Sequence, residues 1–201
     1  MSDMHVRSTR SLQVVQFHRD GAGIDRGYLR YAVIGDAAGR RHRDAWAWRL
    51  ADDLARRNIV SMCDRTSPGA TAYDTRRVQL REAIAHRPHL VALAPGLAGI
   101  DRRDWDGDAV RGHLLHCAMV ATQHAAIVMT VRLDPRRSVV DRLWPSRRRR
   151  QARIELVNAV LAEIDRRYGG IHLLAPDTRS IRSLGATVDR FSAALSSYGI
   201  A

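Results

Sequence analysis

Apolar residues fall along the chain in short runs separated by longer amphipathic stretches. β-type runs occupy 29–35, 58–62, 89–94, 125–131 and 170–174. Between them, at about 44–57, 72–86, 108–123, 147–168 and 184–197, apolar side chains recur every three or four residues, the period of a helix with one buried face. In "AWRLADDLARR", Trp48, Leu50, Ala51 and Leu54 share such a face; in "RIELVNAVLAEIDRRY", Ile154, Val157, Leu161 and Ile164 do. Gly169-Gly170 stops the second of these helices, and Pro88 precedes the third strand. Apolar strands alternating with helices predict a parallel sheet covered on both faces. Right-handed crossovers then give a three-layer α/β/α sandwich around a five-stranded parallel sheet, one domain over residues 25–201. Residues 1–24 lack this rhythm apart from a short apolar piece at Leu12–Phe17, and are expected to be an N-terminal extension or an edge element. The segment 132–150, "RLDPRRSVVDRLWPSRRRR", reads as a long basic surface connection running into a helix.

Length and composition bound the answer further. The chain of 201 residues is long enough for one well-cored domain. No apolar run reaches the ~18–20 residues that span a bilayer, and the N-terminus lacks the continuous apolar stretch of a secretory signal. A cytoplasmic protein without a membrane span is the expectation. Cys63 and Cys117 form no CxxC and no metal-type spacing, which suits two reduced, buried thiols. The net charge is +12, and all 33 basic residues are arginine. The absence of lysine points to a GC-rich genome, such as an actinobacterium's, and so weakens the charge as a sign of a nucleic-acid partner. A basic surface still attracts polyanions without sequence preference. Arg147–Arg150, the densest charge, lies where a helix begins, a position that disfavours positive charge. No recognition motif or aromatic stacking platform accompanies it, so specific nucleic-acid binding is not expected.

Candidate chemistry belongs at the carboxyl ends of the strands, where open parallel sheets bind ligands. Four segments fall there: "GDAAG" at 35–39, "TSPGAT" at 66–71, "PGLAGIDR" at 95–102 and "APDTRSIRS" at 175–183. The first follows a strand as a catalytic loop would, yet nothing after Asp36 can act as a nucleophile. Ser67 and Thr66 border the same region. Asp101, Asp104 and Asp106 could bind a cation or act as a base, or could be a solvated, helix-capping loop. Arg102, Arg179 and Arg182 could hold a carboxylate or phosphate, or could be surface charge. In "HLLHC", His113 and His116 share a helix face near Cys117, with His124 further on. Without a flanking ligand cluster, ordinary partly buried histidines are the plainer reading, and no metal or cofactor is expected.

Together the four segments resemble the SGNH (GDSL-like) hydrolases, a family of esterases and acylhydrolases with a flavodoxin-like sandwich, over roughly residues 28–198. "YAVIGDAAG" is similar to the first block, a strand followed by Gly-Asp-Ser, and "DAWAWRLADDLARR" to the helix after it. "TSPGAT" is similar to the second block and "RPHLVALAPGLAGIDR" to the strand and third block, usually Gly-x-Asn-Asp. "RRRRQARIELVNAVLAEIDRRYGGIHLL" resembles the last crossover, and "DTRSIRSLGA" the fifth block, Asp-x-x-His. In that family a serine attacks the acyl carbon, a histidine oriented by an aspartate takes its proton, and backbone N–H groups with an asparagine amide hold the oxyanion.

Carried over position by position, the resemblance puts the serine at Ala37, the asparagine at Ala98 and the histidine at Ser180. Asp36, Gly69, Gly96 and Asp177 match the family's remaining pattern. Losing one triad member can cost on the order of 10⁶ in turnover, and one oxyanion donor ~10²–10³. The resemblance therefore implies an emptied hydrolase site. A non-catalytic accessory protein would use it to bind a small ligand or protein partner, with Ser67, Asp101, Arg102 and Arg179 as possible ligand contacts. Two alternatives stay open: chemistry rebuilt on Asp36, Asp177 or the Asp101–Asp106 loop with an electrophilic arginine, and residual esterase activity from a Ser–His pair at the strand ends.

Overall fold

The computed structural model describes residues 17–19, 25–36, 46–95, 99–133, 144–173 and 181–196. In chain order these form β1 (Phe17–Arg19), β2 (Asp25–Gly35), α1 (Trp46–Leu54), β3 (Asn58–Asp64), α2 (Ala72–Asp74), a π-helical segment (Thr75–Gln79), α3 (Leu80–Ala85), β4 (Leu90–Ala94), α4 (Gly107–Gln123), β5 (Ile127–Val131), α5 (Trp144–Tyr168), β6 (Ile171–Leu173) and α6 (Ile181–Ser196). Strands β3, β2, β4, β5 and β6 lie side by side in that order, and every adjacent pair is parallel. This is the five-stranded parallel sheet that the alternating pattern predicts.

Alternation along each strand sends side chains to two separate cores. Ala32, Ile34, Val91, Leu93 and Val128 face Leu80, Ala83, Leu114, Cys117, Ile154 and Leu161 from α3, α4 and α5. Tyr31, Val33, Leu90, Ala92, Ile127 and Met129 face Leu50, Leu54, Val188, Phe191 and Leu195 from α1 and α6. Tyr31 is fully buried. Its hydroxyl finds no hydrogen-bond partner among the described residues, and burial holds its pKa well above the usual phenol value. No helix among the described residues is long and apolar enough to cross a membrane.

The departures from the sequence pattern have local causes. Strand β2 begins at Asp25, ahead of the apolar run, because β1 pairs antiparallel with Asp25–Gly27 while β3 starts on its other edge at Gly27. Strand β5 begins at Ile127 because Ala125 turns the chain with φ 61°. Helix α5 starts at Trp144, so that Pro145 sits in its first turn, where a missing N–H costs nothing. On α1 the buried residues are Ala47, Leu50, Ala51 and Leu54. Trp48 lies at the margin instead of in the stripe and donates its indole N–H to Asp64 Oδ2 at 2.8 Å. The α5 stripe of Ile154, Val157, Leu161 and Ile164 is buried throughout. Both cysteines are free thiols; Cys117 is buried, Cys63 half-buried.

Candidate functional site

The carboxyl end of β2 is pinned from both sides. Gly35 has φ 125°, and a Cβ there would overlap the Ala94 carbonyl of β4, so only glycine lets the two strands close this tightly. Asp36 N–H donates to Ala94 O at 2.9 Å, and Asp36 forms a parallel bridge with Ser67. On the other side β3 ends in a turn built by Asp64, whose Oδ1 accepts from Thr66 N–H at 2.8 Å and Thr66 Oγ1 at 2.7 Å. The chain then passes Ser67 and reaches Gly69 at φ 79°, whose N–H donates to Asp36 Oδ1 at 2.8 Å. The N–H that the resemblance assigns to an oxyanion thus meets a carboxylate.

Gln79 locks this arrangement from beneath. Its Oε1 accepts from Gly35 N–H at 2.6 Å, and its Nε2 donates to Gly35 O at 3.0 Å and to Ser67 Oγ at 3.1 Å. It is buried at the end of the π-helical turn, a feature often found at functional sites. The sequence reading passed over it. The available signal was its place on the stripe Thr75, Gln79 and Ala83, where a glutamine is out of character.

Beside this junction lies a cavity of about 370 Å³, between α2, the segment after β4 and the start of α4. Ala70, Ile100, Val110, Leu114 and Val157 give it an apolar lining, and Tyr73, Trp105 and His113 an aromatic one. Tyr73 meets the His113 ring edge-on at 5.6 Å. Trp105 is backed by the Arg153 guanidinium 4.8 Å from its ring centre, and Arg153 is itself anchored on the carbonyls of Ile100 and Arg102.

The polar residues around the cavity are each committed to separate partners. Asp74 and Thr71 form a reciprocal capping box at the start of α2; the Thr71 N–H and hydroxyl hold the Asp74 carboxyl below its usual pKa. Asp104 takes a two-pronged bond from Arg102 at 3.0 and 2.9 Å, which lowers its pKa. Asp106 caps α4, accepting from Asp108 and Ala109 N–H. Asp101 pairs with Arg150 at 3.0 Å. The acidic loop is thus a set of caps and ion pairs, with no two of its carboxylates sharing a hydrogen-bond partner in it. The Arg76 guanidinium reaches His113 Nδ1 at 3.3 Å, and burial, Arg76 and His116 depress the His113 pKa. Burial pushes the Cys117 thiol up to about 12. No group of three or more metal-ligating side chains gathers among the described residues.

Of the residues singled out in the sequence, Asp36, Ser67 and Gly69 come together, and Arg102 lines the neighbouring cavity. Asp101 lies at the adjoining loop. Ala37, Gly96, Ala98, Asp177, Arg179 and Ser180 lie outside the described residues, as do the side chains of Arg147 and Arg182. His86 Nε2 approaches Ser61 Oγ at 3.5 Å, but His86 follows α3 at the amino ends of the strands, away from this site.

No family model matches the sequence. A curated relative, the zinc import ATP-binding protein ZnuC of Alkalilimnicola ehrlichii, is 38% identical over 66 residues, which is 33% of this chain; the chain spans about a quarter of that protein (24%). Solved structures give broader matches. The lipase/acylhydrolase of Enterococcus faecalis superposes with a TM-score of 0.55 at 18% identity, covering 72% of this chain and 74% of that one. The psychrotrophic esterase EstA of Pseudoalteromonas sp. gives 0.53 at 14%, covering 73% and 76%. A catalytic mutant of the acetylxylan esterase Axe2 of Geobacillus stearothermophilus gives 0.54 at 14%, covering 72% and 74%. The chain has the fold of the GDSL-type, or SGNH, esterases and lipases.

Proposed function

We propose that this protein is a non-hydrolytic variant on the SGNH fold, which binds a small ligand beside the position where its relatives in fold cleave esters. One observation carries the reading: β2 delivers Gly35 and Asp36 to the carboxyl edge of the sheet, and the next residue in the sequence is Ala37. An alanine cannot be activated by any neighbour. Two features support it. The Gly69 N–H is bonded to the Asp36 carboxylate, whose negative charge would oppose an oxyanion at that donor. The carboxylates of the 101–106 loop are divided among separate caps and ion pairs, so they do not supply the acid–base pair that rebuilt chemistry would require. The cavity next to the junction lies within the size range of small-molecule sites, ~300–1,000 Å³, and is mostly apolar and aromatic.

The test is hydrolysis of short-chain p-nitrophenyl esters together with labelling by a fluorophosphonate. Folded protein is expected to give neither turnover nor label. The Ala37→Ser variant, still lacking the histidine at position 180, is expected to stay without turnover. Turnover and labelling of the unaltered protein would make it a working serine hydrolase; turnover without labelling would support rebuilt carboxylate chemistry. Quenching of Trp105 fluorescence by short-chain carboxylic acids, lost in Trp105→Phe, would locate the ligand in the cavity.

A further inference from the structure

We propose that the cavity beside the β2 junction selects a ligand bearing a carboxylate, which it receives on the Nε2–H of His113, and that Arg76 creates that donor by fixing the tautomer of the ring. The inference rests on the small-ligand reading above and names the chemistry of the ligand. His113 is the residue that determines specificity; Arg76 is a positioning residue that acts through it.

The hydrogen-bonding inventory of the wall carries the argument. Every carboxylate that lines the cavity already accepts two hydrogen bonds: Asp74 from the N–H and hydroxyl of Thr71, Asp104 from Arg102, and Asp106 from the first turn of α4. Asp104 and Asp106 are also exposed, so water screens their charge. His113 and Trp105 line the same cavity and are half-buried. The Trp105 indole can only donate, and its N–H has no partner among the described residues. The question is then what the imidazole of His113 offers.

Arg76 answers it. Its Nη1 lies 3.3 Å from His113 Nδ1. A guanidinium has donors and no acceptor, so Nδ1 is the acceptor of this contact and does not carry the proton. Burial and the Arg76 charge hold the ring's pKa down, against the pull of Asp106, so the ring is neutral at neutral pH. A neutral imidazole has one N–H, and here it falls on Nε2. That atom has no partner among the described residues, while the edge-on ring of Tyr73 braces the imidazole. The histidine therefore adds a second donor to the wall. Arg76 is half-buried and has no ion pair among the described residues, so a positive charge stands directly behind this donor. Its pull on Nδ1 strengthens donation from Nε2, and hydrogen bonds to a charged acceptor are the strong ones. An ammonium group brings only donors and meets Nε2–H badly; an alcohol brings an acceptor without the charge. A carboxylate satisfies both the donor and the cation behind it, and Ile100, Val110, Leu114 and Val157 receive the apolar body attached to it.

The experiment is calorimetric titration of the full chain with hexanoate, hexan-1-ol and hexylamine at neutral pH, beside imidazole ¹⁵N spectra that read the tautomer of His113. Hexanoate is expected to bind about tenfold or more tighter than either of the others, the scale of one hydrogen bond to a charged group. His113→Phe should abolish that preference, and His113→Gln, which keeps a side-chain N–H, should restore part of it. The spectra should show the wild-type proton on Nε2. Arg76→Met should leave a mixture of tautomers and a weaker preference for hexanoate, and Arg76→Lys, whose ammonium also only donates, should bring both back; a merely structural role for Arg76 would not move the tautomer. A wild-type proton on Nδ1, a preference for hexanoate that survives in His113→Phe, or alcohol or amine binding as tight as hexanoate would each overturn this inference and leave the small-ligand reading standing. Binding of none of the three would overturn the inference together with the ligand half of that reading. Ester turnover, measured separately, would overturn the non-hydrolytic half alone, so the two failures are told apart.

Discussion

Gln79 shows how much of the candidate site rests on one side chain. Its amide satisfies both the N–H and the C=O of Gly35, at the point where β2 hands the chain to the site, and also holds Ser67. In Gln79→Leu the volume is nearly kept, but the Gly35 N–H is left buried without the amide oxygen, while the Gly35 C=O keeps the Ser67 N–H at 3.3 Å. Such an orphaned donor costs ~1–3 kcal/mol, so a loss of that order is expected. It would be read as a lower urea midpoint at unchanged slope; a loss below about 1 kcal/mol would mean that water replaces the amide. The glycines and aspartates of this junction were legible in the sequence because turns demand those residue types: Gly35 and Gly69 have positive φ, and Asp36 caps the second turn. Gln79 was not, because a lone glutamine in "RRVQLREAIA" reads as solvent-facing until its stripe is seen to be the buried one. The cavity was legible only in part. Arg102 was singled out, but Tyr73, Trp105 and the Val157 wall meet through contacts between α2, α4 and α5 that no local pattern encodes.

Among the elements, those with strong periodicity were legible. Five apolar runs became the five parallel strands, and the five amphipathic stretches became helices, because burial on two faces of one sheet imposes those periods. The misses are elements too short or too unusual to carry a period. Strand β1, "FHR", has three residues and owes its existence to the exposed edge of β2. The π-helical turn between α2 and α3 has no composition signal of its own. The acidic loop yielded its plainer reading, since Asp106 is the N-cap of α4 and accepts from two first-turn N–H groups. Removing that oxygen in Asp106→Ala is expected to cost about 1 kcal/mol, within the 0.5–2 kcal/mol range for such caps, with Asp106→Asn losing much less. Thermal unfolding followed at the helix band would check it. An unchanged melting temperature in Asp106→Ala would show that the long packed contact of α4 with α5, and not its cap, sets the helix start.

The whole molecule places its titratable groups so that acid should loosen it earlier than its carboxylates alone would. His89, His113, His116 and His172 all have depressed pKa values, in each case chiefly from burial. Arginines add to the effect: Arg30 beside His89, Arg76 beside His113 and His116, Arg132 toward His172, where Asp165 works in the opposite direction. The folded chain therefore resists protons that the unfolded chain accepts near the ordinary histidine value of about 6.5. Where the unfolded state binds more protons, stability rises with pH. The histidine contribution is thus fully present above about pH 6.5 and is lost as pH falls toward the depressed folded-state values. Asp74, Asp104 and Glu163, held below their usual carboxylate values by Thr71, Arg102 and Arg111, add a separate loss at lower pH. Melting temperature should be level between about pH 8 and pH 7, decline from about pH 6.5 to 5, and fall again where the carboxylates titrate. His113→Gln with His116→Gln should flatten the first decline and leave the second in place. A melting temperature constant down to about pH 5 would mean that these four rings titrate in the folded protein as they do in the open chain, and that the Arg76–His113 contact opens in solution.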